Sequence, residues 1–591
     1  MSSSVILGLS FGHNTTACLL VDGTVVACAS EERFNRVKNT RDFPHGAVRY
    51  VLEEAGAKLD DIDEVHFSAK NPIAGLTHKP GSATGIGVRA LHMARQAGDA
   101  LADRNQRIED AYIALRRRAA AVVHPYYQEQ VLQDAAGKLG VPRSKVHLND
   151  HHTCHAYAGY AFYAGQRGLD RPALILTLDA EGDDACATVS VGREGRIERI
   201  ATTPAGRSIG VLYAAITQWL GMKADEHEYK VMGLAPYAPA SMAERAAEIL
   251  GELVWVDDLE WRTSCNSGRF PDVLWNLLRG QRFDAVAGGV QLLLERLVVQ
   301  WTRNAIARTG LSDLVLSGGC FMNVKANKVL LELPEVSSLT VCPSAGDESA
   351  PIGAVWAAYL RRTGAPALLG RNVVVDNLYL GPAYSDADIA AALEAHHPAQ
   401  PYDVVPLPAE EEAATIAELL ASGEVVARFA GRMEFGARAL GNRSILADPS
   451  RRDLVRVIND QIKGRDFWMP FACTVAEPGS ERYLVNPKGA VAPYMALAFD
   501  TRPEIRDQVA AGIHPYDHSM RPQLVEEREN PRYHAIVRAF EARTGIGAVL
   551  NTSFNLHGEP VVCSPVDALH VFDESGLKNL QLEHVLLRKR D

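Results

Sequence analysis

"VILGLSFGHNTTACLLVDGTVVACAS" (residues 5–30) and "ALILTLDAEGDDACATVSVGREGRIERI" (residues 173–200) follow one pattern. Each opens on an apolar strand, passes a short Gly-containing polar loop and returns on a strand beginning Ala-Cys. A glycine turn and a third strand close the unit. Period-two alternation and the "DG" and "GREG" turns predict a β-meander in each. Two such units, roughly 170 residues apart and each followed by helical sequence, predict an internal duplication.

The loops of the repeat carry the first functional signal. "SFGHNTT" (10–16) and "DAEGDD" (179–184) join strands through small residues whose amides can approach a phosphate. "LVLSGGCFMN" (314–323) is a strand ending in Gly-Gly, and "VCPSAGDESAPIGAVWAA" (341–358) is a strand, a Gly-Asp loop and a small-residue helix. One glycine-rich loop needs no ligand. Four in this order resemble the actin/hexokinase/Hsp70-type ATPase fold, in which two related halves clasp a nucleotide.

Between the repeats lies "HLNDHHTCHAYAGYAF" (147–162). Asn149 and Asp150 are good N-caps, so a helix is predicted to begin near His151. His151 and His155 then share one face a turn apart, the spacing of a two-histidine metal grip. His152 points elsewhere and His147 precedes the cap. The zinc-protease pattern is absent, because histidine stands where its glutamate base would be. A helix with ordinary surface and core histidines explains the pattern as well. Asp179 and Asp347 stand in loops facing the same cleft, and with the histidines form a mixed N/O set suited to Fe(II), Mn or Zn rather than calcium. Asp179 could instead hold nucleotide-bound Mg²⁺.

Composition narrows the class. The 591 residues predict two to four domains, and 23% charged with 47% hydrophobic residues is an ordinary globular mix. A net charge of -11 argues against nucleic-acid or anionic-membrane partners. Nine cysteines without a C-x-x-C pair indicate neither zinc ribbon nor disulfide framework, which fits a reducing cytoplasm. No export signal or membrane-length apolar run is read in the sequence.

The sequence resembles the NodU/CmcH-type O-carbamoyltransferase family, which includes an aminoglycoside carbamoyltransferase. The matching residues are "GHNTTACLLVDG" (12–23), "EERFNRVK" (31–38), "HHTCHAYAGY" (151–160), "YKVMGLAPY" (229–237), "SGGCFMN" (317–323) and "AGDESAPIGA" (345–354). "GRMEFGARALGNRSILADP" (431–449) and "NTSFNLHGEP" (551–560) complete the set, in family order. The resemblance implies a first module, residues 1–365, like the Kae/TsaD actin-fold enzymes. It implies a second, residues 372–591, like the α/β YrdC/Sua domains, with "RRTGAPALLGRN" (361–372) reading as the linker. It also implies the reaction: carbamoyl phosphate and ATP, with Mg²⁺, give carbamoyl-AMP, and the carbamoyl group moves to a hydroxyl of a small specialised metabolite such as an antibiotic. A cytoplasmic enzyme with no nucleic-acid or membrane partner is expected; oligomerisation stays open.

The resemblance also places roles. Fe²⁺, or another divalent transition metal, would be held by His151, His155, Asp179 and Asp347. His13 would face the reacting acyl group, where a neutral imidazole could deprotonate the acceptor; it could equally only hydrogen-bond its loop. Lys230, Gly318, Gly319 and Asn323 are the nucleotide candidates, although Lys230 could be an ordinary surface lysine. Arg432, Arg438, Lys463, Arg465, Arg521, Asn551 and Ser553 are the candidates for carbamoyl phosphate and the adenylate, since guanidinium forks suit phosphate oxygens. The main alternative is an actin-fold ATPase or sugar kinase without carbamoyl chemistry. Residues 79–135 read as a helical insertion, with a basic run Arg116–Arg118, that could shape an acceptor pocket or simply pack outside.

Overall fold

A computed structural model describes residues 4–70, 128–364, 375, 377–464 and 466–590. Most of the expected helical insertion, the body of the linker and Arg465 lie outside these residues.

The first repeat folds as β1 (Val5–Ser10), β2 (Thr16–Val21), β3 (Thr24–Ser30), β4 (Glu64–Phe67) and β5 (Val146–Leu148), in the order β3-β2-β1-β4-β5. The second has β6 (Ala173–Gly182), β7 (Ala185–Arg193) and β8 (Arg196–Pro204). A hairpin of β9 (Val254–Asp257) and β10 (Glu260–Thr263) follows, then β11 (Asp313–Ser317) and β12 (Ser338–Val341). Its sheet order, β12-β11-β6-β7-β8, is the first read in reverse. In both, the meander is antiparallel and the last two strands run parallel to the first. The duplication read from the two quoted stretches is therefore structural, and the chain has the duplicated actin-like ATPase architecture.

Two helices run between the sheets. His151–Arg167 packs on β6, β7 and β11, and Ala350–Thr363 packs on β1, β2 and β4. Each helix thus covers the sheet of the opposite half, and the two cross at small residues. Gly353 lies against Cys154 and Ala158, so close that a Cβ there would be 1.8 Å from the Cys154 carbonyl oxygen. This explains the small-residue run after "AGDES": only such side chains let backbones meet.

The remaining chain builds an eight-stranded mixed sheet from β13 (Tyr402–Pro406), β14 (Val426–Phe429), β15 (Arg443–Ala447), β16 (Ala472–Ala476), β20 (Gln523–Val525), β21 (Ala548–Ser553), β22 (Asn579–Leu582) and β23 (Val585–Lys589). A small sheet of β17 (Leu484–Val485), β18 (Phe499–Thr501) and β19 (Ser519–Met520) lies beside it. This C-terminal unit grips both halves of the cleft. Arg36 donates to the carbonyls of Val561 (2.7 Å) and Pro560 (2.9 Å). On the other half, His514 Nε2 donates to Gly233 O at 2.9 Å, Asn327 donates to Ala496 O at 2.8 Å, and Lys325 pairs with Asp517. Among the described residues no helix is long and apolar enough to cross a membrane.

Candidate active site

Asp150 caps the His151–Arg167 helix as its sequence predicts, accepting from Thr153 N at 2.9 Å. Asp183, in the tight β6–β7 turn, accepts the His151 amide at 2.8 Å and ties the helix start to the second half. The face carrying His151 and His155 then meets Asp179, near the end of β6, and Asp347, which follows β12. The Nε2 atoms of the two histidines are 3.0 Å apart. Asp179 Oδ2 lies 3.1 Å from His151 Nε2 and 3.5 Å from His155 Nε2, and Asp347 Oδ1 is 3.4 Å from both. Ligand atoms about 2.1 Å from one centre stand about 3.0 Å apart at right angles and about 3.4 Å apart at tetrahedral angles. The four donors fit one first-row divalent ion. Without it, burial acts to lower the His151 pKa, but Asp347, Asp179 and Asp183 outweigh it and raise it to about 10. Burial would raise the Asp179 carboxyl, yet the two imidazoles hold it well below its ordinary value.

His152 faces away, its Nδ1 2.8 Å from Thr177 Oγ1, and burial together with the charges of His151 and His155 pushes its pKa down to about 3. A second cluster, Glu64, His66 and His147, fails the metal test. Asn149 donates from Nδ2 to Phe67 O (3.0 Å) and accepts from Arg361 at Oδ1 (3.2 Å), so its amide orientation is set. His66 Nδ1, 3.1 Å from that Nδ2, must accept, which leaves the proton on Nε2 pointing at Glu64 (2.8 Å). A metal at Nε2 would need the opposite tautomer.

In front of the four-donor cluster opens a cavity of about 940 Å³. Asp179 and Asp347 form part of its wall, with His13 on the β1–β2 loop, and His13 Nε2 is buried without a hydrogen-bond partner. The same cavity continues to Lys463, Arg521, Ser553 and Asn555 of the C-terminal unit. Lys463 ends a π-helical turn, Asn459–Lys463, a local widening common at functional sites. Its buried ammonium donates to Asn555 Oδ1 (2.8 Å), Ser553 Oγ (3.1 Å) and Asn555 O (3.2 Å).

The family model described as "Carbamoyltransferase N-terminus" matches residues 5–356, and "Carbamoyltransferase C-terminus" matches residues 417–589. The chain belongs to the carbamoyltransferase family. An uncharacterised protein of Synechocystis sp. is 31% identical across 99% of this chain and 96% of its own length. Nodulation protein NolNO of Sinorhizobium fredii is 30% identical across 100% of this chain and 81% of its own. The structure of T. kodakarensis HypF overlaps at a TM-score of 0.32, with 13% identity, over 62% of this chain and 48% of that one.

Several of the residues proposed from sequence are placed differently in this carbamoyltransferase. Of the three arginines in "GRMEFGARALGNRS", only Arg438 lines the cavity. Arg432 instead donates to Val26 O (3.1 Å), Gly381 O (3.3 Å) and the Tyr50 hydroxyl (3.3 Å), bolting the C-terminal unit to the first half. Arg443 is buried over the Phe429 ring, 3.7 Å from its centroid, and donates to the carbonyls of Asn442, Gly431 and Pro382. Asn551 is buried against Ala439 O and Thr474, away from the cavity wall. Gly318 closes the end of β11 by donating to Ala345 O (2.9 Å), while Gly319 and Asn323 reach the cavity. Asn323 is already engaged there, capping Ala326 N (3.0 Å) and bonding Gln291 (2.8 Å). Lys230 lines the cavity but pairs with Asp466 at 3.0 Å. Asn555, which the sequence places in the polar strand-end run with Asn551 and Ser553, is the residue that holds Lys463, whereas the buried Glu348 beside Asp347 is not among the residues proposed from sequence. Both stand inside quoted motifs, and a carboxylate next to a small-residue helix was the available signal for Glu348.

Proposed function

We propose that this carbamoyltransferase runs two half-reactions along one continuous cavity. In the first, in a module spanning residues 372–591, water converts carbamoyl phosphate to carbamate and inorganic phosphate. A carbamate oxygen attacks the α-phosphorus of ATP, pyrophosphate leaves, and carbamoyl-AMP forms. Lys463, Arg521 and Ser553 receive the anions, their donors suiting phosphate oxygens. In the second, in a module spanning residues 1–365, an acceptor hydroxyl attacks the carbamoyl carbon. The bond from that carbon to the phosphate oxygen breaks, AMP departs, and the hydroxyl proton passes to His13 Nε2. His151, His155, Asp179 and Asp347 would hold a divalent transition metal, Fe²⁺ by family resemblance, which as a Lewis acid favours charge building on a nearby oxygen.

The observation that supports this reading is the continuity of the roughly 940 Å³ cavity from Asp347 and His13 to Lys463 and Ser553. A mixed anhydride made at one end passes to the other within one continuous cavity. The acceptor is a hydroxyl-bearing small molecule, in keeping with a cavity of this size and a chain of net charge -11.

The test is pyrophosphate release from ATP with and without carbamoyl phosphate, with no acceptor added. Release that requires carbamoyl phosphate and disappears in Lys463→Met is expected. ADP formed with a sugar, and no pyrophosphate, would overturn the reading in favour of a kinase.

A further inference from the structure

Four histidines line the cavity: His13, His227, His514 and His557. His13 shares the wall of Asp179 and Asp347. His227, on the second half, accepts the Lys223 amide at Nδ1 (3.1 Å). His514 is buried with both ring nitrogens engaged. Its Nε2 donates to Gly233 O (2.9 Å), and its Nδ1 accepts from the amides of Tyr516 (3.2 Å) and Asp517 (3.3 Å). His557 differs from all three. It is exposed on the wall built by the C-terminal unit, and among the described residues no hydrogen bond or ion pair reaches its ring. Its loop is nonetheless fixed. Asn555 Nδ2 donates to Leu556 O (2.7 Å) and Glu559 O (3.0 Å), and Glu559 N closes the turn on Leu556 O (3.2 Å). Gly558, at φ +84°, lets the chain reverse there. The same Asn555 holds the Lys463 ammonium at Oδ1. Gly464, which follows Lys463, faces the imidazole: a Cβ on it would lie 3.8 Å from His557 Cγ. An imidazole with no partner is thus held beside the turn that presents Lys463.

Building on the proposed two-step reaction, we infer that His557 is the proton carrier of its first half, the hydrolysis of carbamoyl phosphate that precedes adenylate formation. Carbamoyl phosphate rests its phosphate on Lys463, and water attacks the carbamoyl carbon. As the new carbon–oxygen bond forms, the water oxygen gains positive charge and gives a proton to the His557 imidazole. The bond from carbon to the bridging oxygen breaks, and its electron pair leaves with the phosphate. The imidazolium returns its proton to that departing oxygen, and inorganic phosphate is released. The carbamic acid loses its own proton to solvent, which leaves the carbamate that attacks ATP. Imidazole suits this exchange because it accepts and gives up a proton near neutral pH. The enzyme thereby uses two histidines for two proton transfers, His557 at the anion end and His13 at the metal end.

The test supplies the full chain with ATP and either carbamoyl phosphate or ammonium carbamate, which enters after the hydrolysis, and follows initial pyrophosphate release with no acceptor. His557→Gln is expected to slow release from carbamoyl phosphate by about a hundredfold, the usual worth of a positioned base. With carbamate it is expected to stay within threefold of wild type, which also shows that the variant is folded and still binds ATP. Imidazole added to His557→Ala is expected to restore part of the rate with carbamoyl phosphate. Phosphate released in heavy-oxygen water is expected to carry no label, since the water oxygen goes to carbon. An unchanged rate in His557→Gln, equal slowing with both substrates, no response of His557→Ala to imidazole, or label in the phosphate would each overturn the inference. So would wild-type release from carbamoyl phosphate with none from carbamate. No pyrophosphate from wild type with carbamoyl phosphate would instead refute the two-step reading beneath it.

Discussion

Replacing Gly353 with alanine adds one methyl group where the Ala350–Thr363 and His151–Arg167 helices cross. The new Cβ would stand 1.8 Å from Cys154 O and 2.6 Å from Ala158 N, whereas ordinary contact begins at 3.4 Å. The helices must part by about 1.6 Å to relieve the first clash, and both opposing atoms are backbone, which cannot swing aside. Overpacking costs about 1–3 kcal/mol and a clash this deep belongs at the upper end, offset by about 1 kcal/mol from the helix preference of alanine. A net loss of about 2 kcal/mol lowers Tm by about 4–8 °C in a unit of some 200 residues, and by less in a larger one. The effect on the site is sharper. Cys154 and Ala158 flank His155, and ligand sets tolerate about 0.5 Å of displacement. Gly353→Ala should therefore lose divalent metal affinity by tenfold or more. Thermal unfolding and metal content after dialysis measure the two effects. Gly251→Ala is the control, since its Cβ would meet nothing nearer than 3.8 Å. Wild-type Tm and full metal content in Gly353→Ala would refute the reasoning.

His155→Ala should abolish stoichiometric metal binding while His152→Ala keeps it, because His152 bonds Thr177 and faces away from the donor set; elemental analysis decides. Arg432→Ala should lower Tm through the loss of its bonds to Val26, Gly381 and Tyr50, about 1–3 kcal/mol, and leave the KM for carbamoyl phosphate in pyrophosphate release within twofold. A large KM increase would restore it to the anion site. Acid should destabilise the protein through His66, whose pKa burial lowers to about 4 in the fold against about 6.5 unfolded. Below about pH 6.5 the unfolded chain takes a proton the folded one refuses, so stability falls toward pH 4 by on the order of 3 kcal/mol. Denaturant titrations of His66→Gln should show a shallower slope across that window, and an unchanged slope would exclude His66 as its source.

Local patterns were legible in the chain. Strand alternation and turn chemistry predicted both meanders, and the sheet orders bear the duplication out. Asp150 predicted its helix start, and the four-residue spacing put His151 and His155 on one face. Such signals survive in one dimension because pleat, helical pitch and capping couple residues only a few positions apart. What each long polar side chain touches was not legible. Arg432, Arg438 and Arg443 share one twelve-residue motif, and a guanidinium fork fits backbone carbonyls as well as phosphates. Only the tertiary structure turned Arg432 to the first half, buried Arg443 over Phe429 and left Arg438 facing the cavity. The meeting of Arg33 with Gly436, and of Asp179 with Asp347 around two histidines, likewise waited on the fold. A hydrogen-bond partner is chosen by what packing brings within about 3 Å, and residues hundreds of positions apart acquire that proximity only when the sheets and helices are assembled.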